Sequence, residues 1–451
     1  MDARPAARRI RTPRYRVILR VLSLAVLGLV PSTQESGKAD PSPLALVGGR
    51  ILPVAGPPIE SGILVVHEGV IAYIGPLDTT PIPAGATVRD VTGKVIVPGF
   101  VDTHTHLGGA AGADRSAPIQ PDCRVLDSID VLAPGFQRAQ AGGITTVNIM
   151  PGSGHLLSGQ TVYLKLRDGG TIEELMIRGE AGTIAGGIKM ANGTNSRRDP
   201  PFPGTRAKSA ALVRERFVAA QEYRRKLADP DVTKRPDRDL GLEALVEALE
   251  GSRVVHHHTH RHDDILTVLR LREEFGLRVV LHHVSDGWKV ADEIAAAGVP
   301  CSIIVIDSPG GKLEARDIRW ETGAALAAAG VEVAFHTDDW ITDSRLFLRS
   351  AALAVRAGMT REAALAGLTL APARMIDLDG RVGSLEVGKD ADFVLLDGDP
   401  FSVYTKVLET WVEGRKVFDR ANPADRLWAV GGFGAGDDYD PRCCEGEDED
   451  R

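Results

Sequence analysis

The stretch Val-Asp-Thr-His-Thr-His at 101–106 holds the side chains of this sequence best suited to chemistry. An apolar run at 94–100 leads into it, so both histidines stand where a buried strand meets its loop. Side chains alternate along a strand, so His104 and His106 point to the same side. Two imidazoles on one side can bind a single metal ion with nitrogens that need no redox chemistry. Taken alone, the pair is equally well a strand end with two half-buried histidines, and its companions must decide.

Companions occur at the ends of later apolar runs. Residues 254–258 end in His256, His257 and His258, residues 279–283 end in His282 and His283, and residues 331–339 end in His336, Thr337, Asp338 and Asp339. Histidines and a carboxylate at several successive strand ends are the ligand set of a catalytic zinc-type site. The glycine-rich stretch 151–159 lacks the lysine spacing of a phosphate loop, so nucleotide binding is not expected. It reads as the loop after the second strand, which makes His155 a candidate substrate contact. Asn192 and the loop residue His260 have the same standing.

The elements that must position these residues follow a simple pattern. Short β-rich pieces at 44–52, 62–66, 70–75 and 86–91 are separated by Gly and Pro turns, as in a small sheet. From residue 98 strands alternate with helices. Strands are expected at 143–150, 182–190, 253–258, 278–283, 300–306 and 331–338, and helices at 207–227, 242–249, 264–274, 287–297 and 316–329. Such alternation argues for a parallel sheet, and eight units close into a (β/α)8 TIM-type barrel whose chemistry gathers at the C-terminal strand ends. Residues 381–419 return to strand-and-turn text and are expected to complete the N-terminal sheet. The expected organisation is a signal-like segment and linker at 1–43, a split β-sandwich domain at 44–97 plus 376–420, the barrel at 98–375, and an acidic, disordered tail at 421–451.

Bulk properties exclude several functions. In 451 residues, 43% are hydrophobic and 25% charged, as in a soluble globular protein. A formal net charge of −8 with no basic stripe offers no general attraction to nucleic acid, and 5% aromatic residues make a base-stacking platform unexpected. Four cysteines do not form a disulfide framework in a chain of this length. Cys301 reads as core, Cys123 as loop-borne, and Cys443 and Cys444 sit together in the tail. Six arginines between residues 8 and 20 precede an apolar run at 21–30, too short to span a bilayer but suited to an export signal. Periplasmic or extracellular location is therefore expected, and cytoplasmic location if that segment does not act as a signal. Membrane contact is expected only through an uncleaved N-terminal segment.

The motifs VPGFVDTHTH (97–106), GIKMANGTN (187–195), HTHRHDDI (258–265), VLHHVSDGWKVADE (280–293) and FHTDD (335–339) together resemble the amidohydrolase superfamily, and within it the imidazolonepropionase-related enzymes. GRVGSLEVGKDADFVLLDGDP (380–400) resembles the closing β segment of that family, and the resemblance spans residues 44–419. It implies that His104 and His106 are the first-strand metal pair, that His258 and His283 are the ligands of the fifth and sixth strands, and that Asp338 contacts metal and handles protons. It also implies that Lys189 bridges two ions as a carbamate, since an unmodified ammonium has no lone pair to offer a cation. Strand alternation then turns His256 inward with His258, turns His257 toward the helices, sends His282 outward and His283 inward, and gives His336 the inward side with Asp338. His336 is thus a candidate substrate contact or a partner of a ligand.

The resemblance implies one or two divalent ions, zinc above all. The expected reaction is cleavage of a C–N bond in an amide, cyclic amide or dipeptide by a metal-activated water, with Asp338 as proton shuttle. The alternatives are a mononuclear deaminase of the same superfamily and an inactive scaffold used for binding. Deaminating relatives generally carry a His-x-x-Glu that protonates the ring, and no such spacing follows His258 or His283. The partner expected is a small-molecule or peptide-like substrate, and an assembly of identical copies is compatible with the sequence.

Overall fold

The computed structural model describes residues 42–110, 114, 116–179, 182–304, 312–339 and 341–431. The export-like segment, apart from its last two residues, and the pair Cys443–Cys444 with the acidic run at 445–450 lie outside the described residues, while the start of the tail expected to be disordered forms the helix Pro423–Val430, with Asn422 accepting from Ala424 N.

The two flanking β segments meet in one sheet. Strands Leu44–Ile51, Ile59–His67, Val70–Pro76, Thr87–Asp90 and Val95–Pro98 join Phe393–Leu396, Val407–Val412 and Arg415–Asp419. The junction is antiparallel, with Phe393 opposite Pro98 and Leu396 opposite Val95. Leu46, Leu64, Ile96, Phe393 and Leu395 form the core over this sheet, where the Phe393 and Trp411 rings stack at 5.3 Å. Its ladders unite all eight strands in one sheet, without distinguishing the two facing layers of the expected sandwich.

Among the described residues, the α/β part contains two sheets with seven parallel-paired strands between them. Phe100–Thr105 pairs with Ile144–Ile149 in one. Ile188–Ala191, Val255–Thr259, Val279–His283, Cys301–Ile303 and Val333–Phe335 follow one another in the other. The eighth stave departs from the expected pattern, because the segment read as a loop at 151–159 runs on into strand. Leu157–Gln160 pairs antiparallel with Ile188–Ala191, and after Thr161 the strand Val162–Lys165 pairs antiparallel with Ile144–Ile149. Residues 182–190 are correspondingly strand only from Ile188.

The ring is not closed by hydrogen-bonded ladders among the described residues. Past Phe335 the chain turns, with Asp338 at φ 47°, and meets the first strand through single bonds. Asp338 N donates to His104 O at 2.8 Å, and Thr337 N to Asp102 Oδ1 at 3.2 Å. The sheets nevertheless share an interior, since Thr103 Oγ1 of one lies 2.7 Å from Ser302 Oγ of the other.

Helices cover the outside. Arg206–Leu227 starts where Thr205 accepts from Lys208 N, and it buries Ser209, Val213, Phe217, Ala220 and Tyr223, a stripe at helical spacing. His262–Phe275 ends at Gly276 and Ala291–Ala297 at Gly298, both left-handed residues that close a helix without a Cβ penalty. Val254, Val280, Ala334, Ala371 and Met375 plug the interior at the N-terminal strand ends, so the polar residues gather at the other end.

Candidate metal centre

Register decides which histidines face the interior. Lys189 pairs with His256, His258 with His282, and His282 with Ser302, and paired residues of parallel strands share a side. His257 takes the other side, beside Val213, Asp264 and Leu271 of the covering helices. His282 therefore points inward, which corrects the expected outward assignment. Its ring lies 5.0 Å from that of His104, and its Nε2 is 3.0 Å from His256 Nδ1. Simple alternation from an inward His283 fails because His283 ends its strand at φ 69°, which turns its own side chain inward.

The inward side chains make three groups able to hold a cation, of which two adjoin at Asp338 and the third is His104, His282 and His336. His104, His106 and Asp338 form the first, with Asp338 Oδ1 at 3.3 Å from His104 Nε2 and 3.0 Å from His106 Nε2. His258, His260 and His283 form the second, with ring separations of 4.3 to 5.0 Å. Asp338 Oδ2 lies 3.9 Å from His283 Nε2, so its two oxygens face the two groups. Lys189 adjoins the first group, its Nζ 2.9 Å from His104 Nε2 and 3.0 Å from Met150 Sδ.

These residues fit a cation. His258 is fully buried with no hydrogen bond at either ring nitrogen, and Nε2 of His260 and of His283 likewise has none. Four such nitrogens would each carry a desolvation cost unless a Lewis acid or water met them. The opposite nitrogens are held: His106 Nδ1 lies 2.7 Å from Met150 O, His260 Nδ1 2.8 Å from Ser285 Oγ, and His283 Nδ1 3.3 Å from His336 Nε2. A ligand histidine is oriented in this way by the bond its other nitrogen makes.

Burial also sets protonation. It drives the His104, His258, His260, His282 and His283 imidazoles well below the ordinary histidine range, aided by neighbouring imidazoles and, at His258 and His260, by the Lys312 charge. Neutral imidazole is the form that ligates metal. Burial pushes the Asp338 carboxyl up, but the His106 hydrogen bond and nearby positive charge outweigh it and hold the group below the usual carboxylate range. Burial raises Asp102 to about 7, against hydrogen bonds from Thr337 and His104 N. Asp102 is thereby tied to the backbone around both ligand segments.

The structure brings together His104, His106, His258, His283, Asp338 and Lys189. It adds His260, read from sequence as a loop contact. The repeated His-x-His spacing at 258–260 was the overlooked signal. His336 lies on the far side of His283 from the cation-facing nitrogens, bonded to Ser302 and His283. His155 is buried with its ring 5.2 Å from that of Phe202. Asn192 directs its amide to Asp264 O at 3.1 Å, toward the helices and away from the two groups.

The amidohydrolase family pattern matches residues 95–418. The chain belongs to the amidohydrolase family. It is 26% identical over 391 residues to the amidohydrolase tasK of Hapsidospora irregularis, covering 79% of this chain but only 40% of tasK. Over 393 residues it is 26% identical to a 5-methylthioadenosine/S-adenosylhomocysteine deaminase of Symbiobacterium thermophilum, covering 79% of this chain and 85% of the deaminase. Imidazolonepropionase of Pseudomonas putida is 28% identical over 369 residues, covering 74% and 87%. A solved amidohydrolase from Thermotoga maritima superposes with a TM-score of 0.77 at 31% identity, over 84% of this chain and all of that one. Members of this family are metal-dependent enzymes acting on C–N bonds, and this chain is an amidohydrolase with His and Asp groups able to hold the metal.

Proposed function

We propose that this amidohydrolase hydrolyses an amide, cyclic amide or dipeptide C–N bond at a two-ion centre. The observation that carries the reading is the position of Asp338, whose two carboxylate oxygens face two separate buried groups of imidazoles. One group of ligands would need no such bridge.

His104 and His106 would hold one ion and His258, His260 and His283 the other, with zinc favoured by an all-imidazole and carboxylate donor set. Lys189, once its neutral amine adds carbon dioxide and loses a proton, would supply a carbamate to the two ions, its Nζ being beside His104. When bound, such ions lower the pKa of water to about 7 and polarise the scissile carbonyl. Asp338 would accept the proton of the attacking water at a carboxylate oxygen and return it to the leaving nitrogen. Its depressed pKa keeps it ionised. If residues 1–43 direct export, the substrate is a peptide-like or xenobiotic amide met outside the cytoplasm.

Metal analysis of the purified protein, together with a hydrolysis screen over acyl-amino acids, dipeptides and cyclic imides, tests this. Two ions per chain are expected, with release of an acid and an amine from an acyl-amino acid or dipeptide, and ring opening to a single product from a cyclic imide. One ion with ammonia released from a heteroaromatic amine would replace the reading with a deaminase. A chain that neither retains metal nor turns over any substrate would remove it.

A further inference from the structure

We propose that His336 is a positioning residue that fixes the tautomer and direction of His283 through a buried chain His283–His336–Ser302–Thr103. The inference rests on His283 being a metal ligand, as just proposed.

His283 needs such a clamp. It and Val284 are consecutive non-glycine residues in the left-handed region, at φ 69° and 51°, where the strand ladder no longer directs the side chain. Its Nε2, free of hydrogen bonds, is the nitrogen that faces His258, His260 and Asp338. An imidazole offering Nε2 to a cation carries its proton on Nδ1. That proton points to His336 Nε2 at 3.3 Å, which must then be an acceptor. His336 in turn carries its proton on Nδ1 and donates to Ser302 Oγ at 2.9 Å. The Ser302 hydroxyl is left to donate to Thr103 Oγ1 at 2.7 Å. Each direction follows from the one before. The chain ends on the residue next to His104, so it links the sixth-strand ligand to the first-strand pair. All four residues are buried.

A different use of the same residue is a further cation between His104, His282 and His336, whose ligand atoms lie within 4.8 Å of one another. That arrangement would require His336 to give up a bond to Ser302 or to His283.

The test compares wild type with His336→Phe, His336→Gln and Ser302→Ala by metal content, by zinc affinity against a competing chelator, and by thermal melting of the metal-free protein. His336→Phe should weaken one of two zinc equivalents by about 10- to 100-fold. His336→Gln, whose amide oxygen can accept from His283 Nδ1, should recover most of that loss. Ser302→Ala, the milder change, should weaken the same equivalent less. Equal zinc affinity in all four proteins, with changes confined to melting of the metal-free form, would overturn the proposal. So would loss of a whole equivalent in both His336 variants, the signature of His336 as a ligand. A wild type that binds no metal would instead remove the two-ion reading itself.

Discussion

His282 and His283 are consecutive, yet both imidazoles lie inside, 5.0 and 4.9 Å from the ring of His104. His282 arrives there by register with His258, whereas His283 arrives by a left-handed backbone. Their roles therefore separate. His282 is bonded to His256 one layer down, and His283 presents an unbonded Nε2 to the second ligand group.

His283→Ala should lose about one metal equivalent while the metal-free protein melts near wild type. His282→Ala should keep the metal but strand His256 Nδ1, costing on the order of 1–3 kcal/mol. Metal analysis and denaturant titration of both variants read this out, and the reverse pattern would exchange the two roles.

Asp338→Asn keeps the size of the side chain and removes the proton acceptor. Turnover should fall about 10²- to 10⁴-fold with most of the metal retained. A variant with wild-type kcat would refute the proton-transfer role. His104→Ala, as a companion, should lose metal, and unchanged stoichiometry would refute the first-strand assignment.

Acid should destabilise the metal-free protein. Burial lowers His256 and His336 to about 3 and His257 to about 4, while an unfolded histidine titrates near 6.5. Between those values the unfolded chain binds protons that the folded one refuses, so stability is full above pH 6.5 and is lost as pH falls toward 4. Each site contributes up to about 1.4 kcal/mol per pH unit in that window. Asp102, raised to about 7, works in the opposite direction over the same range, as do the raised Asp168, Asp264 and Asp392 carboxyls, against these three histidines and the five others that burial holds low. Denaturant midpoints at pH 7.5, 6 and 5 should therefore decrease, and a constant midpoint would contradict the neutral buried histidines.

Lys165 is fully buried between Asp392 Oδ2 at 2.6 Å and Asp390 Oδ2 at 2.9 Å, tying the antiparallel stave to the closing β segment. Lys165→Met would leave Asp392 buried without its cation, at a cost of about 3–5 kcal/mol. Adding Asp392→Asn should restore part of it, with metal content per folded molecule unchanged throughout. A single variant as stable as wild type would show that the pair contributes nothing net.

Much of this was legible in the chain because the signals are local. His104 and His106 follow an apolar run at a spacing that puts them on one side, and His258 and Asp338 end runs of the same kind. The strand at 392–396 could be assigned to the N-terminal sheet from its pattern, and Phe393 does face Pro98. Residues 157–165 were not legible as a stave, since a short polar-flanked segment reads alike as loop or strand until its partners are known. The inward turn of His282 and the place of His260 beside His258 and His283 were hidden too, whereas His336 was legible as a partner of a ligand but not as the partner of His283. Residue type and two-residue periodicity by themselves determined which side chains can ligate and roughly where strands end. Only tertiary structure decided which of them meet, because register between strands and the φ of a strand's last residue depend on neighbours distant in sequence.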